Sequence, residues 1–228
     1  MYKYSYFDLN YSIFLTNNNW LKKNKHLIIG NAYELGCGLQ PLRKFILETA
    51  DKYVPVDWEE SVHDVKPDIY ADLNKPIDKI ADNVADSIIS ISVMEHLYNP
   101  ANLVNESYRI LKPGASMLLQ IPFQWLVHDA PYDYCRFTRY GLQKLFNNAG
   151  FVDVQIQEQI LFWTTWTLKF NYHLDSHIVS HIRPFKLQRL ARFLIKPIYF
   201  LNQAMALCLD KINKNPEEAG CYFVVAKK

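Results

Sequence analysis

The stretch Ala32-Tyr33-Glu34-Leu35-Gly36-Cys37-Gly38 constrains this chain more than any other. An apolar run ends on an acid and breaks into two glycines one residue apart. Pro41 then opens a helical run from Leu42 to Thr49. Glycine lets the backbone turn sharply and leaves room for a ligand against bare main chain. Proline suits the first turn of a helix, where a missing N–H leaves nothing unpaired. Strand, glycine turn, helix is how a doubly wound sheet builds a nucleotide crevice at the carboxyl ends of its strands. Ordinary strand-to-helix turns also carry Gly-x-Gly, so the rest of the chain has to decide.

The downstream pattern supplies the sheet. Tyr53 to Asp57 reads as a second strand closed by an acid, and Asp68 to Tyr70 as a short third followed by Ala71-Asp72-Leu73. Ala85 to Ile91 is the fourth, and Ser116 to Ile121 the fifth, ended by Pro122. Between them Asn99-Pro100 opens a helix with Asn99 as its cap, and Lys112-Pro113-Gly114 stops it. Thr138 caps a further helix, which Gly150 ends. Phe151 to Gln157 alternates as a sixth strand, and Cys221 to Ala226 is the last. Strands alternating with helices make a mostly parallel three-layer α/β domain. We read 1–228 as a single domain. Residues 1–30 are a flap over the site or a cover on the sheet, 31–159 the nucleotide-binding core, 160–218 a helical insertion, and 219–228 the final strand.

Charge and cysteine usage narrow the partners. A net charge of +2 on 228 residues argues against nucleic acid. Cys37, Cys135, Cys208 and Cys221 form no C-x-x-C pair, which argues against zinc and for reduced thiols in the cytoplasm. Met1 to Thr16 lacks the basic start and apolar run of a signal peptide. No segment offers about 18 uncharged apolar residues, so no membrane span is expected.

Asp57 lies nineteen residues beyond Gly38. An acid about twenty residues past the glycine turn is placed to take both hydroxyls of an adenosine ribose. Trp58 follows it and is placed to lie against an adenine face. Glu34 stands where a dinucleotide site would face a pyrophosphate. A carboxylate there repels phosphate and suits a cationic amino-acid group. Pro41 replaces the third glycine of G-x-G-x-x-G, which further weakens a nicotinamide site.

With these residues in place, the chain resembles the class I S-adenosylmethionine-dependent methyltransferases of the type 11 group. Glu34-Leu35-Gly36-Cys37-Gly38 is similar to the family's first motif, Asp57 to its ribose-binding acid, and Ala71-Asp72-Leu73 to its adenine-edge segment. Ser92-Val93-Met94-Glu95-His96-Leu97 with Asn99-Pro100 resembles the segment after strand four. Glu106 to Gly114 resembles the helix and turn before strand five. The resemblance implies a Rossmann-like seven-stranded sheet with the last strand antiparallel beside the sixth. It implies S-adenosyl-L-methionine held by Glu34, Gly36, Cys37, Gly38, Asp57, Trp58, Asp72, Leu73, Ser92 and Val93, the amides of Cys37 and Gly38 completing the cradle. A narrower likeness runs from Pro122 through His128-Asp129-Ala130-Pro131-Tyr132-Asp133-Tyr134-Cys135-Arg136-Phe137-Thr138 to Phe151. It is similar to a subgroup associated with bacterial surface polysaccharide or other glycan biosynthesis, which implies a glycan or other small-molecule acceptor.

Methyl transfer from a sulfonium is an in-line displacement in which the protein mainly aligns partners and excludes water. A hydroxyl acceptor needs a base, which His can supply near neutral pH. His128 is the first candidate and His96 the second. Asp129, Asp133 and Tyr134 are placed to orient a base or bind sugar hydroxyls, with Trp125 and Arg136 as further acceptor contacts. The competing account is a loop locked by hydrogen bonds, with Arg136 pairing to Asp133 or Asp129. His128, Asp129 and Asp133 have only generic spacing for a divalent ion, and no metal is assigned. N- or C-methylation and a non-catalytic cofactor-binding module are the rivals.

In the insertion, Phe162, Trp163, Trp166, Phe170 and Tyr172 are placed to line an acceptor pocket. Leu187, Leu190, Leu194, Ile198, Leu201 and Met205 recur at helical spacing, with Arg189, Arg192 and Lys196 on another face. Such a helix over 186–205 lies on an anionic membrane at its inner face, or is a lid packed on the domain or on a second copy in a homodimer. Pro197 is expected to kink it.

Overall fold

The computed structural model describes residues 1–59 and 66–228. Helix α1 (Tyr11–Lys23) leads into strand β1 (Gly30–Leu35). One helical turn, α2 (Arg43–Ile46), precedes β2 (Ala50–Asp57), which is followed by the two-residue β3 (Ile69–Tyr70). Strand β4 (Ala85–Ile91), helix α3 (Pro100–Ile110), strand β5 (Leu111–Pro122), helix α4 (Arg139–Ala149) and strand β6 (Val152–Ile160) complete the alternation. Helices α5 (Phe162–His173) and α6 (Phe185–Ile212) form the insertion before β7 (Cys221–Lys227).

The seven strands run in the order β3-β2-β1-β4-β5-β7-β6. All neighbours are parallel except β7, which is antiparallel to both β5 and β6. The strand order reverses between β1 and β4, and a crevice opens there at the carboxyl ends. One sheet face packs Leu103, Val104, Ile110, Leu142 and Phe146 of α3 and α4 against β4, β5 and β7. The other packs Trp20, Leu21, Leu42, Phe45 and Ile46. Trp20 stacks on Phe223 at 4.3 Å, so α1 covers the sheet.

Local expectations are corrected in three places. The helix after the glycine turn is four residues long rather than spanning 42–49. Strand β2 already starts at Ala50, and Pro41 lies before the helix. Asn99 does not cap α3 with its side chain. Its amide nitrogen instead donates to the Asn74 carbonyl at 3.2 Å and its backbone N–H to Asn74 Oδ1 at 3.0 Å. Lys112-Pro113-Gly114 is the irregular start of the long strand β5 rather than a separate turn, with Gly114 left-handed and bonded to the Lys228 carbonyl. Thr138 and Gly150 cap α4 as expected, Gly150 being left-handed.

Candidate active site

A cavity of about 510 Å³ sits in the crevice, within the range of small-molecule and cofactor sites. Its wall is drawn from the loops after five strands. Glu34 lies near the end of β1 and Gly36, Cys37 and Gly38 follow it, Asp57 ends β2 and Trp58 follows it, and Asp72, Leu73 and Asn74 follow β3. Ser92, Val93, His96 and Tyr98 follow β4, and Asp129, Tyr132 and Tyr134 follow β5. All ten residues expected around a cofactor lie on this one wall.

The glycine turn has a specific reason for its glycines. Gly36 has φ +78°, and an added Cβ would lie 2.3 Å from a Val93 methyl. Gly38 has φ +49°, and nothing among the described residues stands within 4 Å of its missing Cβ, which leaves the approach open to a ligand. The turn amides are already spent. Gly36 and Cys37 N–H both donate to the Val56 carbonyl, at 2.8 and 3.1 Å, and Gly38 N–H donates to Asp57 Oδ2 at 2.7 Å. The expectation that the Cys37 and Gly38 amides complete the cradle is thereby corrected: they join β1 to the tip of β2.

Asp57 also accepts the Trp58 N–H on Oδ1 at 2.7 Å, which fixes its carboxylate at the cavity edge. Glu34 is nearly fully buried and accepts a short hydrogen bond from the Tyr53 hydroxyl. Burial pushes its carboxyl up to about 8; the Tyr53 bond opposes this and the neighbouring Asp57 charge adds to it. Asp72 accepts from Asn74 N–H at 3.0 Å and pairs with Lys75 at 3.1 Å. Against the cost of burial, these bonds hold it below the usual carboxylate range. It shapes a turn and caps no helix. Ser92 is left-handed and is held by Gln120, which accepts from its hydroxyl at 2.6 Å.

The loop after β5 folds back onto the turn Met94–His96. Tyr134 and Cys135 N–H donate to the Glu95 carbonyl at 2.9 and 3.3 Å. His96 Nδ1 lies 2.7 Å from the Tyr132 carbonyl. Donation there leaves Nε2 with its lone pair, and burial lowers the imidazole pKa, favouring the neutral form. His128 packs edge-on to His96 with ring centroids 5.0 Å apart, and Asp129 Oδ2 stands 4.0 Å from His96 Nε2. Asp133 and Arg136 form a bidentate pair at 2.6 and 2.8 Å, and Asp133 also accepts the His128 N–H at 3.0 Å. The Arg136 bonds pull Asp133 down to about 2. These two residues lock the loop and are not on the cavity wall. Trp125 lies away from it too, edge-on to Tyr172 against the Ile160–Leu168 cluster.

Sequence reasoning did not assign Tyr2, Asn74, Tyr98 or Tyr132 to the wall. It also passed over Glu95, whose side chain is fully buried and whose carboxyl is pushed up to about 8 by that burial. Tyr2 lies on the cavity wall and also packs against the cluster that holds Trp20 on the sheet.

Residues 33–119 match the family model described as a methyltransferase domain. The fold is that of the class I methyltransferases. A SAM-dependent methyltransferase from Archaeoglobus fulgidus superposes with a TM-score of 0.59 at 15% identity, over 95% of this chain and 94% of that one. An S-adenosylmethionine-dependent methyltransferase from Mesorhizobium loti gives 0.58 at 13% identity, over 93% and 98%. Haemonchus contortus phosphoethanolamine N-methyltransferase 2 in complex with S-adenosyl-L-methionine gives 0.51 at 14% identity, over 87% of this chain and 48% of that one. No curated protein matches the chain significantly. Residues 33–119 are thus similar to a methyltransferase domain, and S-adenosylmethionine is the donor named for the structures above. The wall suits that donor: a buried acid for a cationic end, a second acid at the tip of β2, and open space over Gly38.

Proposed function

We propose that the protein transfers a methyl group from S-adenosylmethionine to a hydroxyl of a small-molecule or glycan acceptor. Glu34 faces the charged amino-acid end of the donor, Asp57 its ribose, and Asp72, Leu73 and Trp58 its adenine. When bound, the donor supplies an electrophilic methyl on a sulfonium, and the carbon–sulfur pair stays on sulfur as the acceptor oxygen forms its new bond. The observation that carries oxygen as the acceptor atom is the grouping of His96 and Asp129 on the cavity wall, with Glu95 and His128 beside them. A hydroxyl must lose its proton as the methyl arrives, and this grouping is where that proton can go. Tyr98, Tyr132 and Tyr134 offer ring faces and hydroxyls that suit a sugar.

The test is calorimetry with S-adenosylmethionine and S-adenosylhomocysteine, followed by transfer of labelled methyl to hydroxyl-bearing sugars. Binding in the range of about 1 μM to 1 mM is expected. His96→Ala should cost about 10²- to 10⁴-fold in turnover while cofactor affinity stays within about threefold. Undisturbed turnover in that variant favours N-methylation of an amine that is already neutral; absence of binding to folded protein overturns the reading.

A second observation supports a location for the work. In α6 the stripe Leu187, Leu190, Leu194, Ile198, Leu201 and Met205 is exposed, and Phe193 beside it is 70% exposed. The opposite face is turned inward and is polar: Gln188, Tyr199, Gln203 and Asp210 are buried. Lys186 borders the stripe, and Arg189 and Lys196 are exposed on another face of the helix. An exposed apolar ridge on a helix that also carries exposed cations fits an anionic membrane surface, and we assign α6 that occupant. Among the described residues no helix is long and apolar enough to cross a membrane.

A further inference from the structure

The geometry points to a divalent transition-metal site formed by Glu95, His96 and His128 at the acceptor end of the cavity. One ligand atom from each of the three lies within 4.8 Å of the others. The site deepens the proposed hydroxyl methylation and takes its catalytic meaning from it, but cation binding itself does not depend on that reading.

Glu95 is the first reason. Its side chain is fully buried, and neither carboxylate oxygen has a hydrogen-bond partner among the described residues. An orphaned buried carboxylate is costly, and native folds rarely leave one without a partner. Protonation would relieve the charge but supply no acceptor for the new O–H. The carboxylate is not there by looseness of the chain, because two loop amides hold the Glu95 carbonyl.

The imidazoles are the second reason. His96 Nδ1 lies 2.7 Å from the Tyr132 carbonyl, and His128 Nδ1 lies 3.2 Å from the Leu126 carbonyl. Metal-ligating histidines are characteristically anchored in this way, one ring nitrogen donating to a carbonyl or carboxylate and the other presented to the ion. Asp133 Oδ2, 3.4 Å from His128 Nδ1, reinforces that anchor. The backbone is also unusual here: Ser92 and Asp129, on either side of the cluster, are both left-handed non-glycine residues. Such strain gathers at functional sites.

Two imidazoles and one carboxylate favour first-row transition cations over magnesium or calcium, and three ligands leave coordination positions open. Metal–ligand bonds of about 2.0–2.2 Å require the three side chains to draw closer than they now lie. His128 comes from the loop after β5, and Glu95 and His96 from the turn after β4. His96 lies on the cavity wall, so a cation held by the three side chains would border the cavity. It would acidify a hydroxyl oxygen bound to it. Its proton passes to the Asp129 carboxylate, which is open to solvent. The oxygen lone pair forms the new bond to the methyl carbon, and the carbon–sulfur pair stays on sulfur.

Protein stripped with a chelator is titrated with Mn²⁺, followed by electron paramagnetic resonance, and with Zn²⁺, followed by calorimetry. One cation per chain is expected. Affinity should fall at least about tenfold in Glu95→Gln and in His128→Ala, while each variant still binds S-adenosylhomocysteine like the parent. Should Glu95→Gln fail to fold, His128→Ala carries the test, since that side chain is partly exposed. Parent protein that binds S-adenosylhomocysteine but no stoichiometric Mn²⁺ or Zn²⁺ overturns the metal site alone, as does cation affinity unchanged in His128→Ala. Loss of S-adenosylhomocysteine binding would instead overturn the methyltransferase reading and leave the metal titration to be judged separately.

Discussion

Glu34 shows how a single side chain sets both affinity and stability. Its carboxyl is raised by burial from an ordinary 4.5 to about 8. Between those values the native chain keeps a proton that the unfolded chain has released. The folded state therefore binds more protons, and stability falls as pH rises through that window. A cationic ligand reverses the preference, because it favours the ionised carboxylate. We expect Glu34→Gln to flatten the stability loss toward pH 8 that the parent shows without ligand. The same variant should bind S-adenosylmethionine at least about tenfold more weakly at alkaline pH, a cost of about 1.4 kcal/mol. Thermal melts and calorimetry across the window check both; a variant that keeps the parent's slopes would assign them to another group. Residues like this were readable from the sequence, because Glu34, Gly36 and Asp57 belong to local turns whose spacing carries their meaning. Glu95 was not readable in the same way. Its significance comes from His128 and from the loop amides of Tyr134 and Cys135, which only the folded β4–β5 pair brings to it.

At the scale of the element, α6 shows what periodicity can and cannot tell. The stripe and the cations on another face were plain in the sequence, and the helix runs unbroken through Pro197. Which way the stripe faces depends on partners remote along the chain. Gln203 accepts from Ser12 N–H at 3.0 Å and donates to the Asp8 carbonyl at 3.0 Å. Asp210 accepts from Trp163 and Thr164 N–H at 2.9 and 3.1 Å, capping α5 from the neighbouring helix. Asn202 donates to Asn171 at 3.0 Å. The helix is docked by hydrogen bonds, so its apolar side is left outward. Phosphatidylglycerol vesicles should sediment the protein and neutral phosphatidylcholine vesicles should not, with binding weakened by salt. Arg189→Glu with Lys196→Glu, and separately Phe193→Glu with Leu201→Glu, should each release it. Failure to bind anionic vesicles would remove the membrane, and a dimer that the Phe193/Leu201 pair breaks would make the occupant a second copy.

For the whole molecule, the sheet's reversal point gathers loops that have little contact through sequence. The loops after β1, β2, β3, β4 and β5 and the segment carrying Tyr2 meet at the cavity, whereas α5 packs through Leu168 on Ile160 and Cys221 at the β6–β7 end of the sheet and α6 packs on α5 and α1. A ligand in the cavity should therefore order one set of loops and leave the insertion alone. At a free concentration about a hundredfold above Kd, binding adds about 2.7 kcal/mol of stability. For a chain of this size that corresponds to a rise in Tm of about 5–10 °C. Hydrogen exchange with S-adenosylhomocysteine should slow at residues 1–8, 36–40, 92–98 and 126–136, with α5 and α6 exchanging as before. The amides of Gly36, Cys37 and Gly38 are already bonded within the fold, so their slowing would report a tightened turn rather than new bonds to ligand. Slowing confined to α5 and α6 would move the binding site off the reversal point and onto the insertion.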